Sequence, residues 1–585
     1  MPDTETSESQ LVRKPYPRED QIVLETLREF SEFQSQRAVF AQQWEEASQL
    51  VLPTSRNTFN FGSSNWQGQK KTDRQIDGTG ALALHRFCAI ADSLVTPRNQ
   101  LWHGVEADAD YLMKDRRVRL WYELAQKALF QHRYAATANF TGQNYNNWQS
   151  LGAFGNATMY VDTLDGRRLA NLRGLRYRAV SLGETYYGEN HQGIVDRIIR
   201  WFRLTAYQAA QKWGEDALPP NLFTSLHNGS QTLYDFLHCV KPRDEDEYDP
   251  DRLDEKGMPF TSYYISVTGK CMMAPESGYR KFPYAVSRYD QTPGEVYGRG
   301  PVQIVLPALK TLNSQKTTFL TQGHRAAAPV LLTTDDGNID FSMRPGALNK
   351  GGVSADGKLL IQALPSGNIA INEKMMGMES RLIDDTLLVS LYRTLSENPN
   401  MKATQVIELV NERSMLVAPT LGRQHNEYVA QMGEREIDLL MDQQLLPPMP
   451  AALQEAIRAG RAKHRITDTS PLAKQAKMAG DVGTIRMLET SKEIVNITQD
   501  MSYLDWFDGQ VALPSMARNQ MVPESYIADD QKVAARQKSR AQAQARQQQI
   551  ESLPAQASMI SAQAKASKAQ PGVAPGAQGL GGPQQ

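Results

Sequence analysis

The chain has 585 residues, of which 41% are hydrophobic, enough for three or four folding units at roughly 150 residues each. Its 64 Lys and Arg balance 65 Asp and Glu, so bulk charge argues neither for nor against nucleic-acid binding. The 3 cysteines stand far apart, which excludes a disulfide framework and a paired-cysteine zinc site. The polar, acidic N-terminus lacks a signal-peptide pattern, and no apolar run approaches the ~20 residues of a membrane span. We therefore expect a soluble, intracellular, multidomain protein.

Helical periodicity dominates the first part of the chain. Residues 1–20 are polar and are predicted to be disordered. A stripe that includes Phe33, Trp44 and Val51 follows i, i+3, i+4 spacing and predicts a helix from about residue 20, which Leu52-Pro53 ends. Further helices are predicted at about 79–94 and 114–132.

Strand signals begin at residue 157. "ATMYVDT" followed by Leu164-Asp165-Gly166 predicts a strand and a tight turn, and "FTSYYISVTGKCMMA" predicts a hairpin with Gly269 in its turn. "YAVSRYD" predicts another strand, and a helix is predicted at about 205–213. Residues 21–290 are therefore interpreted as a mixed α+β unit in which helices come first.

Prolines mark the start of a long helix. Gly300-Pro301 places proline at a first-turn position, where its missing N–H costs nothing. Pro307 would be awkward inside a helix, so either the helix kinks there or its main length begins there. An amphipathic stripe at helical spacing then follows: Leu309, Leu312, Lys316, Phe319, Leu320 and Gly323.

A β-rich insertion and a second helix come next. Residues 329–371 alternate short strands with turns marked by Asp-Gly and Ser-Gly pairs. Asn372 is predicted to be the N-cap of the following helix. Further helical stretches are predicted at about 403–446 and 451–528, and the Ala-, Gln-, Gly- and Pro-rich end of the chain is predicted to be disordered. One face of the helix after Asn372 carries Met375, Met378, Leu382, Thr386 and Val389.

The stretch "GVSADGKL" at 352–359 approaches the phosphate-cradling pattern G-x-x-x-x-G-K-[ST]. Leu359 stands where that pattern needs a hydroxyl for magnesium. The stretch follows "ALNKGG" rather than a buried strand, and strand-like "LLIQAL" follows it where a helix N-terminus would be required. We therefore interpret Asp356-Gly357 as a hairpin turn and Lys358 as an exposed base beside it.

The sequence also contains neither the H-E-x-x-H pattern nor the G-x-S-x-G pattern. His324 and His425 stand alone on predicted helices. Asp384 and Asp385 are neighbours that point about 100° apart on a helix, which makes a poor two-metal clamp. The sequence thus predicts no catalytic residue, no cofactor-binding residue, no metal ligand and no cofactor, and hence a protein that is not an enzyme.

Seven segments follow one another in a fixed order between about residues 20 and 530. The most specific is "GEVYGRGPVQIVLPALKTLN", with Gly298, Arg299, Gly300 and Pro301. The others are "AQQWEEASQLVLP", "RFCAIADSLVTPRNQLWHGV", "LGAFGNATMYVD", "ETYYGENHQGIVDRIIRWFRLTAYQ", "NPNMKATQVIELVNER" and "LLPPMP". In this order they resemble the head-to-tail connecting (portal) proteins of short-tailed, podovirus-type bacteriophages.

The resemblance implies an α+β, mainly helical portal fold with wing, stem, clip and crown, assembled as a ring that usually has twelve subunits. The long clip turn "RPGALNKGGVSADGK" departs from the plainest pattern of the family. The implied parts are a disordered N-terminus (1–20), a wing (21–296), a first stem helix (297–326), a β-rich clip (327–371), a second stem helix (372–392), a channel loop and long wing helix (393–446), a helical crown (447–530) and a disordered low-complexity tail (531–585).

The function implied by the resemblance is that of a structural virion protein at one capsid vertex, the head–tail junction. Genomic double-stranded DNA would be packaged and ejected through the ring without sequence preference. The implied partners are copies of the chain, capsid and scaffolding proteins, a terminase and a tail adaptor, with assembly in the host cytoplasm and no membrane. Two alternatives stay open: another phage tail ring component such as an adaptor or tube protein, and a nucleic-acid enzyme, which the failed phosphate pattern disfavours.

Charged residues give candidate contacts within these parts. In the channel loop, Arg393 and Lys402 are hypothesised to meet DNA phosphates weakly. Salt bridges within the wing are an equally open alternative for both. In the clip, Lys350, Asp356 and Lys358 are candidate contacts to the tail adaptor.

The apolar stripes of the two stem helices have two interpretations. Copies side by side in a ring would bury the Met/Leu stripe of one copy against the Leu/Phe stripe of the next. Alternatively, the stripes pack only within one subunit. The tail adds a basic run that could contact DNA or internal core proteins, or could be a solvated helix end: Lys532, Arg536, Lys538, Arg540 and Arg546.

Overall fold

The protein is represented by a computed structural model, in which helices and antiparallel strands are mixed and helix predominates. This confirms the α+β, mainly helical fold class. The chain divides into two compact units, Met1–Gln499 and Asp500–Gln585. The structure describes residues 15–53, 59, 72–164, 173–252, 254–333, 342, 344–365, 369–390, 422–469, 471–500, 506–520 and 522–567.

Helices come first in the larger unit, as predicted. The stripe on the first helix is buried: Trp44 and Ala47 are fully covered, and Val51 packs with Leu84 and Phe87 of the second helix in one core. The fourth helix begins at Asp115, whose carboxylate accepts a hydrogen bond from the Arg117 N–H at 2.8 Å. These helices are α1 (Glu19–Val51), α2 (Thr79–Val95), α3 (Asp110–Met113), α4 (Arg116–Arg133) and α5 (Phe140–Phe154).

Two antiparallel sheets follow. A three-stranded sheet has the order β10-β2-β3, and a six-stranded sheet has the order β4-β5-β6-β7-β8, with β9 beside β7. Two helices, α6 (Ala206–Trp213) and α7 (Pro220–His227), connect β5 to β6. The strands are β1 (His103–Ala107), β2 (Asn156–Thr163), β3 (Leu175–Val180), β4 (Thr185–Glu189), β5 (Val195–Thr205), β6 (Leu233–Pro242), β7 (Phe260–Ser266), β8 (Cys271–Met272), β9 (Ser277–Tyr279) and β10 (Tyr284–Arg288).

Alternation along the strands places a helical layer on each face of the six-stranded sheet. On one face, Leu237 packs in a cluster with Ile22 and Phe33 of α1. On the other face, the adjacent residue Phe236 packs in a cluster with Leu222 of α7. The larger core joins α1, α2, α4 and α5 to the three-stranded sheet. These cores hold the sheets and the helices in one body.

The rest of the larger unit begins with two helices separated by a β-rich insertion. They are α9 (Leu306–Ala327), preceded by the short α8 (Pro301–Ile304), and α10 (Ile369–Thr386). The insertion contains β11 (Leu331–Thr333) and β12 (Ile361–Ala363), which pair with each other. After residue 421 come a π-helical turn (His425–Ala430), α11 (Gln431–Asp442), α12 (Ala451–Arg458), β13 (His464–Asp468) and α13 (Pro471–Thr498).

The second unit is described separately and is helical over its described residues. It contains α14 (Gly509–Asn519) and α15 (Asp530–Ser567). A disordered tail was expected from residue 531, but the structure has a helix as far as Ser567. Its Ala-, Gln- and Arg-rich composition has high intrinsic helix propensity, which explains the difference. Residues 568–585 and 1–14, also expected to be disordered, lie outside the described residues.

Two further predictions are corrected. The stretch 451–528 was expected to be helical, but it contains β13, which pairs antiparallel with β1 so that Val105 lies opposite Ile466. The five residues of this strand include a single apolar side chain, Ile466, which is too weak a signal to separate the strand from its helical surroundings. Asn372 is not the N-cap of α10, because that helix already begins at Ile369.

Candidate assembly surface

The segment that leads into α8 and α9 is joined to α5 and β2 through a glycine contact. Gly155 ends α5 with a φ of +75°, and a Cβ there would lie 2.3 Å from the backbone carbon of Arg299. The fully buried Asn156 side chain donates to the Gly298 carbonyl at 2.9 Å and accepts from the Gly298 N–H at 2.8 Å. The motifs "LGAFGN" and "YGRGP" are therefore in direct contact. Sequence reasoning gave Asn156 no role, although its place after a helix-ending glycine was a usable signal.

The base of α9 is anchored to the helical layer. Pro307 lies in the first turn of α9, so the main length of the helix begins at that proline, which was one of the two options. Leu309 is buried against Gly80, where a Cβ would lie 2.6 Å from a Leu309 methyl carbon. The Asn313 amide oxygen accepts from the backbone N–H groups of Ile76 at 2.8 Å and Asp77 at 3.0 Å. The base of this helix therefore has a fixed position on the helical layer.

Beyond Leu312, no residue of α9 is fully buried. The helix is about 33 Å long at ~1.5 Å per residue, so roughly two thirds of it extends past its anchor. The hydroxyls of Thr317, Thr318 and Thr321 each donate to the carbonyl four residues earlier, at 3.0, 3.2 and 2.9 Å. Their donors are satisfied within the helix.

Helices α9 and α10 pack side by side, with a hydrogen bond from the Asn372 amide to the Gln322 amide oxygen at 3.3 Å. The C-terminal end of α10 is buried: Ile383 lies in the main core, as do Leu387 and Val389 just after the helix. The outer parts of α9 and α10 are not buried. Five apolar side chains there, the first on α9 and the others on α10, are 44% to 69% exposed: Leu320, Ile371, Met375, Met378 and Leu382.

We call these five residues the stem stripe. Packing within one copy leaves them open to solvent over the part of the chain that the structure describes. Within one copy, Met375, Met378 and Leu382 therefore remain exposed, whereas Val389 is buried, and the two interpretations of the stripes stay predictions.

The two helices also differ in charge. Helix α9 carries Lys310, Lys316 and Arg325 and no carboxylate. Lys310 is paired with Glu46 of α1 at 2.6 Å. Helix α10 has an excess of carboxylates, with Glu373, Glu379, Asp384 and Asp385 against Lys374 and Arg381. Beside the stem stripe, Glu373 and Glu379 are balanced by Lys374 and Arg381, and the excess comes from Asp384, which is buried, and Asp385.

The far end of the insertion contains the predicted hairpin. The Ser354 N–H donates to the Lys358 carbonyl at 2.8 Å, and Gly357 has a φ of +77°. Val353 pairs with Leu359, so strand pairing, not a helix N-terminus, follows the turn. This confirms the hairpin in place of a phosphate loop. Lys350, Asp356 and Lys358 are all exposed at this end, and their contact with an adaptor stays a prediction.

The candidate channel residues Arg393 and Lys402 lie outside the described residues. Residues 422–424 lead into the π-helical turn, a feature that is frequent at functional sites. Glu427 in this turn accepts from the Arg288 backbone N–H at 2.8 Å and from its guanidinium at 3.3 Å. The Tyr428 hydroxyl donates to Asn144 at 2.7 Å. The segment that follows the predicted channel loop is thus fixed to β10 and α5, which sequence reasoning did not foresee.

A buried ion pair stabilises the next helix, α11. Arg133 and Glu436 are both fully buried, and the Arg133 Nε donates to Glu436 at 3.1 Å. The Tyr177 hydroxyl donates to the same carboxylate. Burial, together with the Glu436 charge, raises the pKa of Tyr177 well above its ordinary value. Although burial lowers the pKa of Arg133, the Glu436 carboxylate raises it overall, so the guanidinium stays charged.

Chemical groups elsewhere do not form a reactive cluster in the part of the chain that is described. No group of three or more His, Cys, Asp or Glu side chains there could hold a metal ion. Cys88, Cys239 and Cys271 are free and buried, and burial raises the pKa of Cys239 to about 12, so its thiol stays protonated at neutral pH. Among the described helices, none has the length and apolarity needed to span a bilayer.

These features define a class of protein that has a buried α+β core and a projecting pair of helices, α9 and α10, whose apolar face is exposed. The family of bacteriophage head to tail connecting proteins matches residues 25–528, and the chain belongs to this family. The resemblance read from the seven segments is thereby confirmed.

Two curated relatives are also similar. A "Probable portal protein" of Bordetella phage BPP-1 is 24% identical over 444 residues, which cover 73% of this chain and 76% of that protein. A "Portal protein" of Salmonella phage epsilon15 is 23% identical over 435 residues, which cover 73% of this chain and 76% of that protein.

Proposed function

We propose that the chain is a portal protein that forms a ring at the head–tail junction of a phage virion. The observation that carries this proposal is the exposed stem stripe on a chain of the head-to-tail connecting family. Both relatives are named portal proteins, which supports the same function. The ring, its usual number of twelve subunits and its place in the virion go beyond what the comparisons give.

The ring would close through contact between α10 of one copy and α9 of the next. This contact is head-to-tail, and such contacts close into rings when the rotation between copies divides a full turn. Burying one Met or Leu side chain contributes roughly 1.5–3 kcal/mol. In this contact, Lys316 and Arg325 of one copy would face Glu373 and Glu379 of the neighbour.

The remaining assignments follow from this ring. Genomic double-stranded DNA would pass through its centre during packaging and ejection, next to Arg393 and Lys402 of the channel loop. The β-rich insertion with Lys350, Asp356 and Lys358 would be the clip that meets the tail adaptor and the terminase. The chain would act as a structural protein without a cofactor, and the terminase would supply ATP hydrolysis. Capsid and scaffolding proteins would meet the wing, and assembly would occur in the host cytoplasm.

The proposed boundaries are those given above for wing, stem, clip and crown, with one adjustment. Leu453, Ala456 and Ile466 pack in the main core, and β13 pairs with β1. We therefore propose that the wing includes residues up to about 468 and that the crown begins with α13.

Electron microscopy of the negatively stained, purified full chain tests the ring. We expect rings with a central hole, and side views with a broad wing and a narrow stem. A stem variant, Met375→Gln with Met378→Gln and Leu382→Gln, should remain folded but lose the rings. The matched control replaces three exposed apolar residues of the wing by Gln: Leu24, Val39 and Leu124.

The control variant should keep the rings. A stable single-copy species under every assembly condition tried would overturn the proposal. Rings in the stem variant equal to those of the wild type would show that the stem stripe is not the interface.

Two rival functions predict different outcomes in the same preparation. A tail adaptor or tube protein would also form rings, but side views would lack the broad wing above a narrow stem. A nucleic-acid enzyme would show substantial ATP turnover by the purified ring, which we do not expect.

The channel residues need a separate experiment. Reversing the charge of Arg393 and Lys402 together should change DNA packaging and retention in assembled particles, because the two cations would no longer attract phosphates. Unchanged packaging and retention would favour the alternative in which both residues form salt bridges within the wing.

A further inference from the structure

Positive charge is concentrated at the C-terminal end of the chain. The whole chain has a net charge of −1, yet residues 531–585 contain seven Lys and Arg and a single acidic residue, Glu551, which gives +6. The near-neutral total therefore hides a strongly basic segment on an otherwise acidic protein.

The fold arranges these bases on helix α15. At 100° per residue, Arg546, Lys532, Arg536 and Arg540 fall within an arc of about 120°. They extend over about 21 Å along the helix axis at ~1.5 Å per residue. All four side chains are exposed, and none has an ion-pair partner among the residues that the structure describes. We call these four residues the basic stripe.

We propose that the basic stripe binds the phosphate backbone of double-stranded DNA without reading its sequence. This contact is separate from the channel loop and goes beyond the proposed ring, which can stand even if this contact fails. Four cations over about 21 Å suit a polyanion that carries one charge per about 1.7 Å of its axis.

An acidic protein partner fits the same face less well. Between residues 531 and 549, Val533 is the sole apolar residue larger than Ala, and no aromatic residue follows Tyr526. Protein interfaces depend on large buried anchors, among them aromatic side chains such as Trp and Tyr, and this face has none. The glutamines between the bases, in contrast, can donate hydrogen bonds to phosphate oxygens.

The test is the salt dependence of DNA binding by the full chain, with a labelled duplex of about 30 base pairs as the probe. The stripe variant replaces Lys532, Arg536, Arg540 and Arg546 by Gln, which has a helix propensity close to that of Lys and Arg. The matched control replaces four exposed bases of the larger unit by Gln: Lys114, Arg117, Arg458 and Lys463.

Loss of four contacts between cations and phosphates should make the slope of log affinity against log salt less steep by about 3.6, at ~0.9 per contact. Between 50 and 200 mM salt, this corresponds to about 150-fold in affinity. We therefore expect the slope of the stripe variant to be flatter than that of the wild type by about 3 to 4, while the control keeps the wild-type slope. Two duplexes of unrelated sequence should bind the wild type about equally.

The proposal is overturned if the stripe variant keeps the wild-type slope, or if the control variant loses as much as the stripe variant. A strong preference for one of the two duplexes would also contradict it. Ring formation by the same samples, seen by microscopy, reports on the portal proposal independently.

Discussion

The proposed wing and the proposed stem of this chain differ in what a single copy buries. In the proposed wing, even large polar groups such as Asn156 and Arg133 are fully buried and hydrogen-bonded. In the proposed stem, Met378 and Leu382 remain more than half exposed. The proposed wing thus holds these polar groups within one copy, whereas the proposed stem has an apolar face that a neighbouring copy would cover. Stability and assembly should thus depend on different residues, which four predictions test.

The largest effect is expected at the buried ion pair of the wing. Glu436→Ala leaves the Arg133 charge buried without its partner, which should lower the free energy of unfolding by about 3–5 kcal/mol. Urea unfolding measures this change. Glu434→Gln on the same helix is the control, because Glu434 pairs with Lys281 at an exposed position and should cost ~1 kcal/mol or less. Equal losses in the two variants would contradict the comparison.

The second prediction compares two leucines on α9 that lie eight residues apart. Leu312→Ala removes a buried side chain and should cost about 2–4 kcal/mol, because a cavity remains in the core. Leu320→Ala removes a side chain that is 44% exposed and should cost well under half of that in a single copy. Thermal unfolding of single-copy protein measures both. Similar losses would mean that the outer stem is already packed within one copy.

The third prediction compares two glycines. Gly155→Ala forces a left-handed backbone on alanine and places its methyl group against the Arg299 backbone, so about 1–3 kcal/mol of stability should be lost. Gly323→Ala in α9 meets no atom within 4 Å and should stabilise the helix by up to ~1 kcal/mol. Calorimetry should show a loss of stability for Gly155→Ala and a gain for Gly323→Ala. A loss of stability in both variants would contradict this prediction.

The smallest effect is a pH dependence of the wing. Burial lowers the pKa of His103 and of His238 well below the ordinary value of 6.5, with nearby cations adding to the effect. Both side chains therefore stay neutral in the folded state, while the unfolded chain binds their protons near pH 6.5. Their contribution to stability is complete above about pH 6.5 and is lost as pH falls toward their lower folded-state pKa values.

Within that window, each of these histidines should lower the free energy of unfolding by about 1.4 kcal/mol for each unit by which pH falls. Unfolding free energies measured between pH 7 and pH 5 check this slope. His238→Gln should have a shallower slope than the wild type by about one proton, and an unchanged slope would be evidence against the assignment of His238.

The sequence predicted the helices well where a long stripe faced a core, as for α1 and α9. It failed where a short element depends on a distant partner: β13 is fixed by pairing with β1, more than 350 residues earlier. It also missed the π-helical turn, because Glu427 and Tyr428 are held by contacts with Arg288 and Asn144 that no local pattern encodes. The stem stripe was readable from helical spacing, but its exposure was not, since exposure depends on how α9 and α10 face each other.

The threonines of α9 have a consequence for how its surface behaves. Because the hydroxyls of Thr317, Thr318 and Thr321 are already engaged with the backbone of their own helix, their methyl groups are the part left for outside contacts. These three hydroxyls have no free hydrogen-bond donor for an outside partner. The threonine side of α9 is thus less polar than its composition indicates.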